Sequence, residues 1–328
     1  MAKDTRLAER YRRFARVEAH GRSPLYEQCA LGVADDAAVQ AILARLPPDR
    51  QQPNLLFAAV ALLTGVQPEY QAFRSVVLER ADDLTAIMRV RRTQTNEPGR
   101  CAVLLPLLAR LLGPLALLEV GASAGLCLLP DRYRYQYSSG VVGDPGSRVV
   151  IRCEARGPVP IPDHLPTVVW RRGIDLEPVD LHDADSARWL ECCVWPEQTE
   201  RLVRLRAAIE VARADPPVVF RGDLLELVGE VAGTAPPSAT LVIFHSAVLA
   251  YLSRDDRRRF AELVQALPAT WISNEAPGVV ESLFVRDRHR VHPEAGRFVV
   301  GINGERAAAF SDPHGAWVEW LDAGPDPS

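Results

Sequence analysis

The sequence predicts an α/β protein: an all-α N-terminal region, then a doubly wound, mostly parallel sheet with an antiparallel C-terminal hairpin. Three observations carry this. Up to about Leu112, apolar residues recur at helical spacing and no β-rich run interrupts them. From Leu115, short apolar runs alternate with amphipathic stretches, the texture of strands buried on both faces of a parallel sheet. Near the end, two runs flank Asn303-Gly304, the dipeptide favoured in a type I′ hairpin turn.

Taken in order, the first region shows helical spacing in Leu55, Ala58, Ala59 and Leu62, and again in Phe73, Val76, Val77, Leu84, Ile87 and Met88. Pro47-Pro48, Gln67-Pro68 and Pro98-Gly99 break it. Its last helix spans roughly Arg100 to Leu112, with Thr95 and Asn96 as caps ahead of it and Gly113-Pro114 ending it. Pro106 should kink or shorten that helix. This sets a helical cap domain over 1–113 and a sheet domain over 114–328.

The strand runs are Leu115–Val120, Thr167–Trp170, Pro217–Phe220, Thr240–Phe244 and Thr270–Ser273. Each is short, largely apolar and followed by small or polar residues. Helical stretches lie between them at Asp185–Glu191, Glu197–Ala212, Leu224–Val231 and Arg254–Leu267. Arg297–Ile302 and Arg306–Phe310 form the hairpin. No internal repeat is evident.

Composition narrows the class. The 328 residues are about two average domains or one large α/β unit. With 48% hydrophobic and 24% charged residues, a disordered, collagenous or small disulfide-stapled chain is excluded. A net charge of −4 gives no global field for nucleic acid or anionic lipid. Lys3 is the only lysine, and the arginine excess reflects GC-rich codons. The six cysteines contain no CxxC and one vicinal pair, so neither a zinc site nor a disulfide framework is expected. The N-terminus lacks the apolar core of a signal peptide. The longest stretch free of Asp, Glu, Lys and Arg, Val231 to Ser253, contains Pro236, Pro237 and His245 and reads as a strand followed by a helix. A cytoplasmic protein with no membrane partner is the expectation.

The most informative segment runs from Leu117 through Gly121-Ala122-Ser123-Ala124-Gly125 to Leu126, a buried strand entering a small-residue turn where a helix should start. Such a turn lets a ligand approach the backbone, and the helix N-terminus favours a carboxylate or phosphate. A tight connection that binds nothing is the plain alternative. A dinucleotide fingerprint fails twice, because Ser123 and Leu126 stand where glycines belong. The segment literally satisfies G-x-S-x-G, which would make Ser123 a nucleophile with Asp223 as acid and His245, His292 or His314 as base. That elbow normally follows several strands, whereas helices precede it here.

A third reading is S-adenosylmethionine binding. Asp175 in Gly173-Ile174-Asp175-Leu176 follows the second strand, where a carboxylate can accept both ribose hydroxyls. Asp223, between Gly222 and Leu224, follows the third, and His245-Ser246 ends the fourth. All lie at the carboxyl ends of strands, where open α/β sheets bind ligands. Singly, each acid reads better as a cap or solvated loop residue; their sequential placement is what points to a ligand.

The ordered set EVGASAG, GIDLEP, RGDLLEL and LVIFHSAVLAYL, closed by a hairpin, resembles the class I S-adenosylmethionine-dependent methyltransferase superfamily over roughly Leu115 to Leu321. The blocks QTNEPGRCA, WRRGIDLEPVD and VWPEQTERL with these also look like a bacterial family known only as a domain of unknown function. The superfamily resemblance implies a Rossmann-like methyltransferase sheet and S-adenosylmethionine as cofactor, with S-adenosylhomocysteine as product. It implies that Glu119, Gly121, Ala122, Ser123 and Gly125 line the methionyl and adenosine side. Asp175 and Leu176 would then hold the ribose, Gly222, Asp223 and Leu224 the adenine, with His245 and Ser246 beside them. Two departures stand out. Asp175 lies 50 residues after Gly125 rather than about 20, which requires an insertion at about 130–166. No N/D-PP-Y type tetrad follows the fourth strand, so DNA or protein amide methylation loses support.

On the substrate side, His245 is the candidate base, since an imidazole titrates near neutrality. Asn274 and Glu275 follow the fifth strand, and Arg100, with Arg171 and Arg172, could bind a carboxylate. Tyr133, Tyr135 and Tyr137 fall on one face of a strand, either around a cationic group or as packing. The helical region is expected to cover the crevice. A small molecule is the expected substrate, no metal or nucleic acid is expected, and a homodimer is left open. Two alternatives stay beside the methyltransferase: a protein of this fold that uses or binds the cofactor without methylating, and the serine hydrolase.

Overall fold

The computed structural model describes residues 5–280 and 296–321. The chain divides into two compact units, Met1–Thr95 with His182–Val203, and Asn96–Leu181 with Arg204–Ser328. This differs from a single cut near residue 113. The helix before the first strand belongs to the sheet unit, and a stretch from the middle of the chain belongs to the helical one.

The helical unit holds α1 (Thr5–Arg13), α2 (Pro24–Asp35), α3 (Ala37–Leu43), α4 (Pro53–Thr64), α5 (Tyr70–Glu79) and α6 (Ala81–Val90). After α7 (Cys101–Leu108) of the other unit it regains the chain at α8 (Ala184–Cys192). Caps set the starts. The Ser23 hydroxyl accepts the Tyr26 N–H at 3.1 Å ahead of Pro24, and Asp36 accepts the N–H groups of Ala38 and Val39. Tyr11, Phe14, Tyr26, Phe57, Leu43 and Met88 form one apolar core with Trp189 of α8. The Trp189 indole donates to Arg92 O at 2.8 Å, and that of Trp195 to Asn54 Oδ1 at 3.0 Å. Both indoles are satisfied at their N–H, Trp195 packs on Phe14 and Tyr26, and Trp189 lies buried in the same core, which explains why this stretch joins it.

The second unit is built on β1 (Leu115–Val120), β2 (Arg134–Tyr137), β3 (Gly140–Val142), β4 (Val150–Arg156), β5 (Val168–Asp175), β6 (Val218–Arg221), β7 (Thr240–Ser246), β8 (Thr270–Glu275), β9 (Phe298–Ile302), β10 (Arg306–Ser311) and β11 (Trp317–Trp320). They form a single sheet in the order β3-β2-β4-β11-β10-β9-β8-β7-β1-β5-β6. Six of the ten strand pairings are parallel. The five expected strands β6-β5-β1-β7-β8 are all parallel neighbours, and the strand order reverses between β1 and β7, the switch point of a doubly wound sheet. Each of the last four runs at least one residue past the expected end, which moves Asp175, Ser246 and Glu275 onto the strands.

The hairpin forms as expected. Asn303 and Gly304 both adopt positive φ, and Glu305 N–H donates to Ile302 O at 3.0 Å. Asn303 also accepts the Trp271 N–H at 2.9 Å, docking the turn on β8. One face of the sheet buries Leu118, Val120, Ile174, Ile243 and Trp271 under α10 (Leu224–Ala232) and α11 (Arg254–Gln265), which follow α9 (Thr199–Ala214) in the chain. Alternation turns Glu119, Ser246 and Asn274 to the opposite face.

One expectation is corrected. No α-helix follows the glycine loop; single 3₁₀ turns at Leu126–Leu128 and Pro130–Arg132 lead directly into β2. Gly125 sits in the left-handed region (φ 71°), and Pro130 cannot donate to a continuing helix. Beyond it the sequence switches to period two. The 130–166 stretch is therefore not a lobe outside the sheet: β2 pairs in parallel with β4, and β4 with β11.

Candidate functional site

The site is built at the carboxyl ends of β1, β5 and β7. Gly121, Ser123 and Gly125 all take positive φ, so the loop after β1 coils rather than extending. It is tied to β5 by backbone: the N–H groups of Gly121 and Ala122 both donate to Ile174 O, at 2.8 and 3.1 Å. The Asp175 carboxylate completes the clasp, accepting Ser123 N–H through Oδ2 and Glu177 N–H through Oδ1, each at 2.8 Å. Its separation of 50 residues from Gly125 is thus no obstacle, because β1 and β5 are adjacent strands. Both carboxylate oxygens keep acceptor capacity beyond these bonds. Leu176, next in the chain, is 67% exposed.

The glycines themselves are explained by protein neighbours. A Cβ on Gly121 would collide with Val248 Cγ2, and one on Gly125 would lie 2.9 Å from Pro217 Cγ. A Gly121→Ala variant carries this clash as well as left-handed strain. Its urea midpoint should report a loss of about 2–4 kcal/mol. Adding Val248→Ala should return part of it in a double-mutant cycle; strictly additive losses would show that the packing account is wrong.

Glu119, the next-to-last residue of β1, is 6% exposed, and its Oε2 has no hydrogen-bond partner among the described residues. Burial pushes its carboxyl well above the usual carboxylate range. The Cys127 thiol and Asp175 push the same way, while Arg100 pulls it down. Asn96 is a second unsatisfied group. Its Oδ1 accepts Ala124 N–H at 3.2 Å, but its Nδ2 is buried without a partner among the described residues. The capping role expected of Asn96 falls to Glu97, which accepts Gly99 N–H at 2.8 Å. An unpaired acceptor and an unpaired donor, both buried and both joined to the Gly121–Gly125 segment, each leave a hydrogen bond unmade.

Around them lie residues hydrogen-bonded to other protein groups. Arg100, 6% exposed, donates through Nη1 to Ser246 O at 3.0 Å and through Nε to Pro313 O at 2.9 Å. Glu97 also receives Arg204 through Nε and Nη2, at 3.0 and 2.8 Å. Asn274 donates to Ser246 Oγ at 3.0 Å and accepts from Ser311 Oγ at 2.9 Å. Cys127 makes a weak bond to Glu97 O, and its side-chain hydrogen bond with Cys101 together with burial pushes its thiol up, away from nucleophilic thiolate character.

Several sequence-predicted residues lie elsewhere or are sealed. His245 is 0% exposed. The Trp271 indole N–H, which can only donate, reaches His245 Nε2 at 3.0 Å, so the imidazole proton sits on Nδ1 and is donated to Glu275 Oε1 at 2.8 Å. Both ring nitrogens are consumed, on the face covered by α11, leaving none for substrate. Glu275 Oε1 also accepts the N–H groups of Val248 and Leu249, which fixes the turn after β7. Tyr133 and Tyr135 are buried, with hydroxyls donated to Leu126 O and Pro130 O. Asp223, exposed, caps α10 by accepting Leu225 N–H at 2.8 Å, while Gly222 lies against Leu227. Arg171 pairs with Asp131 and Arg172 stacks on Trp170, so the three arginines form no common clamp. Ser123 is 4% exposed and starts no helix, unlike a nucleophile elbow. His314 sits in the turn against Gly99, and His292 lies outside the described residues.

Residues 8–320 match the family described as "Uncharacterized protein conserved in bacteria (DUF2332)". No curated protein matches the chain. Among the described residues, no helix is long and apolar enough to cross a membrane, and no group of three His, Cys, Asp or Glu is arranged to hold a metal ion.

Proposed function

We propose, for a chain that belongs to the DUF2332 family, that the loop after β1 binds S-adenosylmethionine and that the protein methylates a small molecule. The observation that carries the reading is two buried atoms with no hydrogen-bond partner among the described residues, Glu119 Oε2 and Asn96 Nδ2, on residues that adjoin the loop at the switch point of the sheet. The ligand carries an ammonium, a carboxylate and a ribose diol. Glu119 suits the ammonium, Asn96 Nδ2 the carboxylate, and the acceptor capacity left on Asp175 the ribose hydroxyls. Leu176, apolar and exposed, suits a face of the adenine. The glycines do not enter the argument, since Val248 and Pro217 account for them.

When bound, the group would supply an electrophilic methyl on sulfur. The chain's part is then to orient the ligand through Glu119, Asn96 and Asp175 and to exclude water, because such a transfer rests largely on positioning. His245 takes no part in moving a proton, as Trp271 and Glu275 hold both its nitrogens. A protein that binds the same group without methylating remains the second reading, and formation of S-adenosylhomocysteine separates the two.

Calorimetric titration with S-adenosylmethionine, S-adenosylhomocysteine and adenosine tests the assignment. Wild type should bind the first two with a Kd on the order of micromolar. Glu119→Gln should weaken both roughly 10- to 100-fold, the cost of losing a hydrogen bond to a charged group. Adenosine, which has no ammonium, should bind both proteins alike. Failure of wild type to bind either cofactor form removes the reading, and undiminished binding by Glu119→Gln removes Glu119 from it.

A further inference from the structure

We propose that β6 is a self-pairing edge, through which two copies of this chain join their sheets about a two-fold axis. β6 ends the sheet, with β5 on one side and no strand on the other. Gly222 N–H donates to Asp175 O at 3.0 Å, so Gly222 turns its backbone toward β5. Period two then turns the backbone groups of Val218 and Phe220 the same way, and those of Val219 and Arg221 outward. The N–H and C=O of Val219 and Arg221 have no hydrogen-bond partner among the described residues. The usual guards of an open edge are missing here. The pairing with β5 runs without a bulge, no proline stands within Val218–Arg221, and the only lysine of the chain is Lys3. Val218 and Phe220 are both exposed, and register sets Phe220 beside Ile174.

The occupant is a second copy because the edge complements itself in one antiparallel alignment. With Phe220 on the two-fold axis, Val219 of each copy faces Arg221 of the other, and each such pair exchanges both N–H···O bonds. Every open backbone group is then used. Phe220 meets its twin as the closely spaced, non-bonded pair, so two exposed rings cover each other. Val218 lies opposite Gly222, which has no side chain to obstruct it. The apolar stem of Arg221 covers Val219 of the other copy. Neighbouring alignments fail. An axis at Val219 sets Arg221 against Pro217, which has no N–H to give. An axis at Arg221 sets two guanidiniums directly opposite each other. Four residues a side fall far below the roughly 20–30 of a stable interface. The dimer is therefore weak, with a Kd on the order of 100 μM.

The dimer requires no ligand, so it stands or falls apart from the glycine-loop reading. Sedimentation velocity of the full-length protein, from well below to well above that Kd, should show monomer passing to dimer. Phe220→Lys changes an exposed side chain, sets two ammoniums on the axis and should raise the dissociation constant at least tenfold. Arg221→Pro removes only an outward N–H, leaves the ladder to β5 whole and should weaken the dimer likewise. Circular dichroism verifies the fold of each variant. Cysteines read the register. Under copper–phenanthroline oxidation, and above the rate of wild type, Phe220→Cys should cross-link at least tenfold faster than Val218→Cys. In the second variant the two introduced thiols lie roughly 13 Å apart along the strands. Equal cross-linking of the two, a wild type that stays monomeric throughout, or association undiminished in Phe220→Lys overturns the proposal.

Discussion

Replacing Glu275 with alanine is expected to destabilise the sheet unit by roughly 3–5 kcal/mol, because three buried donors lose the acceptor they share. The carboxylate is fully buried, and one oxygen accepts three hydrogen bonds: from His245 Nδ1 at 2.8 Å, Val248 N–H at 2.8 Å and Leu249 N–H at 3.0 Å. Alanine leaves all three donors in a dry environment, each costing about 1–3 kcal/mol before relaxation. For a unit of this size the melting temperature should fall by roughly 10 °C. Glu275→Gln keeps an acceptor at the same place and should lose less than half as much. The comparison also tells structure from chemistry. If the relay positions the turn, affinity for the proposed ligand S-adenosylmethionine per folded molecule is unchanged in Glu275→Gln. A Glu275→Ala protein that melts with wild type would refute the relay.

The second large effect concerns pH. Glu119 has a raised pKa in the folded protein, chiefly from burial. The native state therefore keeps a proton that the unfolded chain has released at the same pH. Its stabilising contribution is complete below the unfolded pKa, near 4.5, and is lost progressively as pH rises through the folded value. Each pH unit in that window removes about 1.4 kcal/mol. Glu119→Gln has no such proton, so variant minus wild-type stability should climb with pH above about 5. Denaturant unfolding at one-unit pH intervals measures this, and parallel curves would mean that Glu119 is not buried as described. A cationic ligand that pairs with Glu119 must first expel the proton. Binding enthalpy should then vary with the ionisation enthalpy of the buffer in wild type and not in the variant.

Much of the fold was legible from local signals. Continuous apolar runs marked the five parallel strands, and Asn303-Gly304 marked its turn, because both depend on neighbours a few residues away. The errors came from distant partners. Trp189 read as part of a helix flanking the sheet, yet its indole packs into the helical unit, a choice no local periodicity encodes. The helix expected after Gly125 failed because the tyrosine alternation beyond Pro130 commits that segment to the sheet. At the candidate site, acids at strand ends could be placed, and Asp175 does reach the glycine loop. The fate of His245 could not be read, since it depends on Trp271 and Glu275 facing it from the next strand. Asn96 looked like a cap and is instead a buried amide under Ala124.

The pairing of β4 with β11 also dictates an order of assembly. Residues 154–156 find their hydrogen-bonding partners at 317–319, more than 150 positions later. On a ribosome, β2, β3 and β4 emerge early and must wait as a small ribbon, tied to α7 through the Tyr137 hydroxyl on Ala102 O, while the parallel core forms. Contacts between such remote segments carry a loop-closure cost and slow folding. Until β11 arrives, β4 presents an open edge able to pair with another chain. Refolding after dilution from denaturant should therefore be slow and concentration-sensitive, with aggregation competing before the last strand closes the seam.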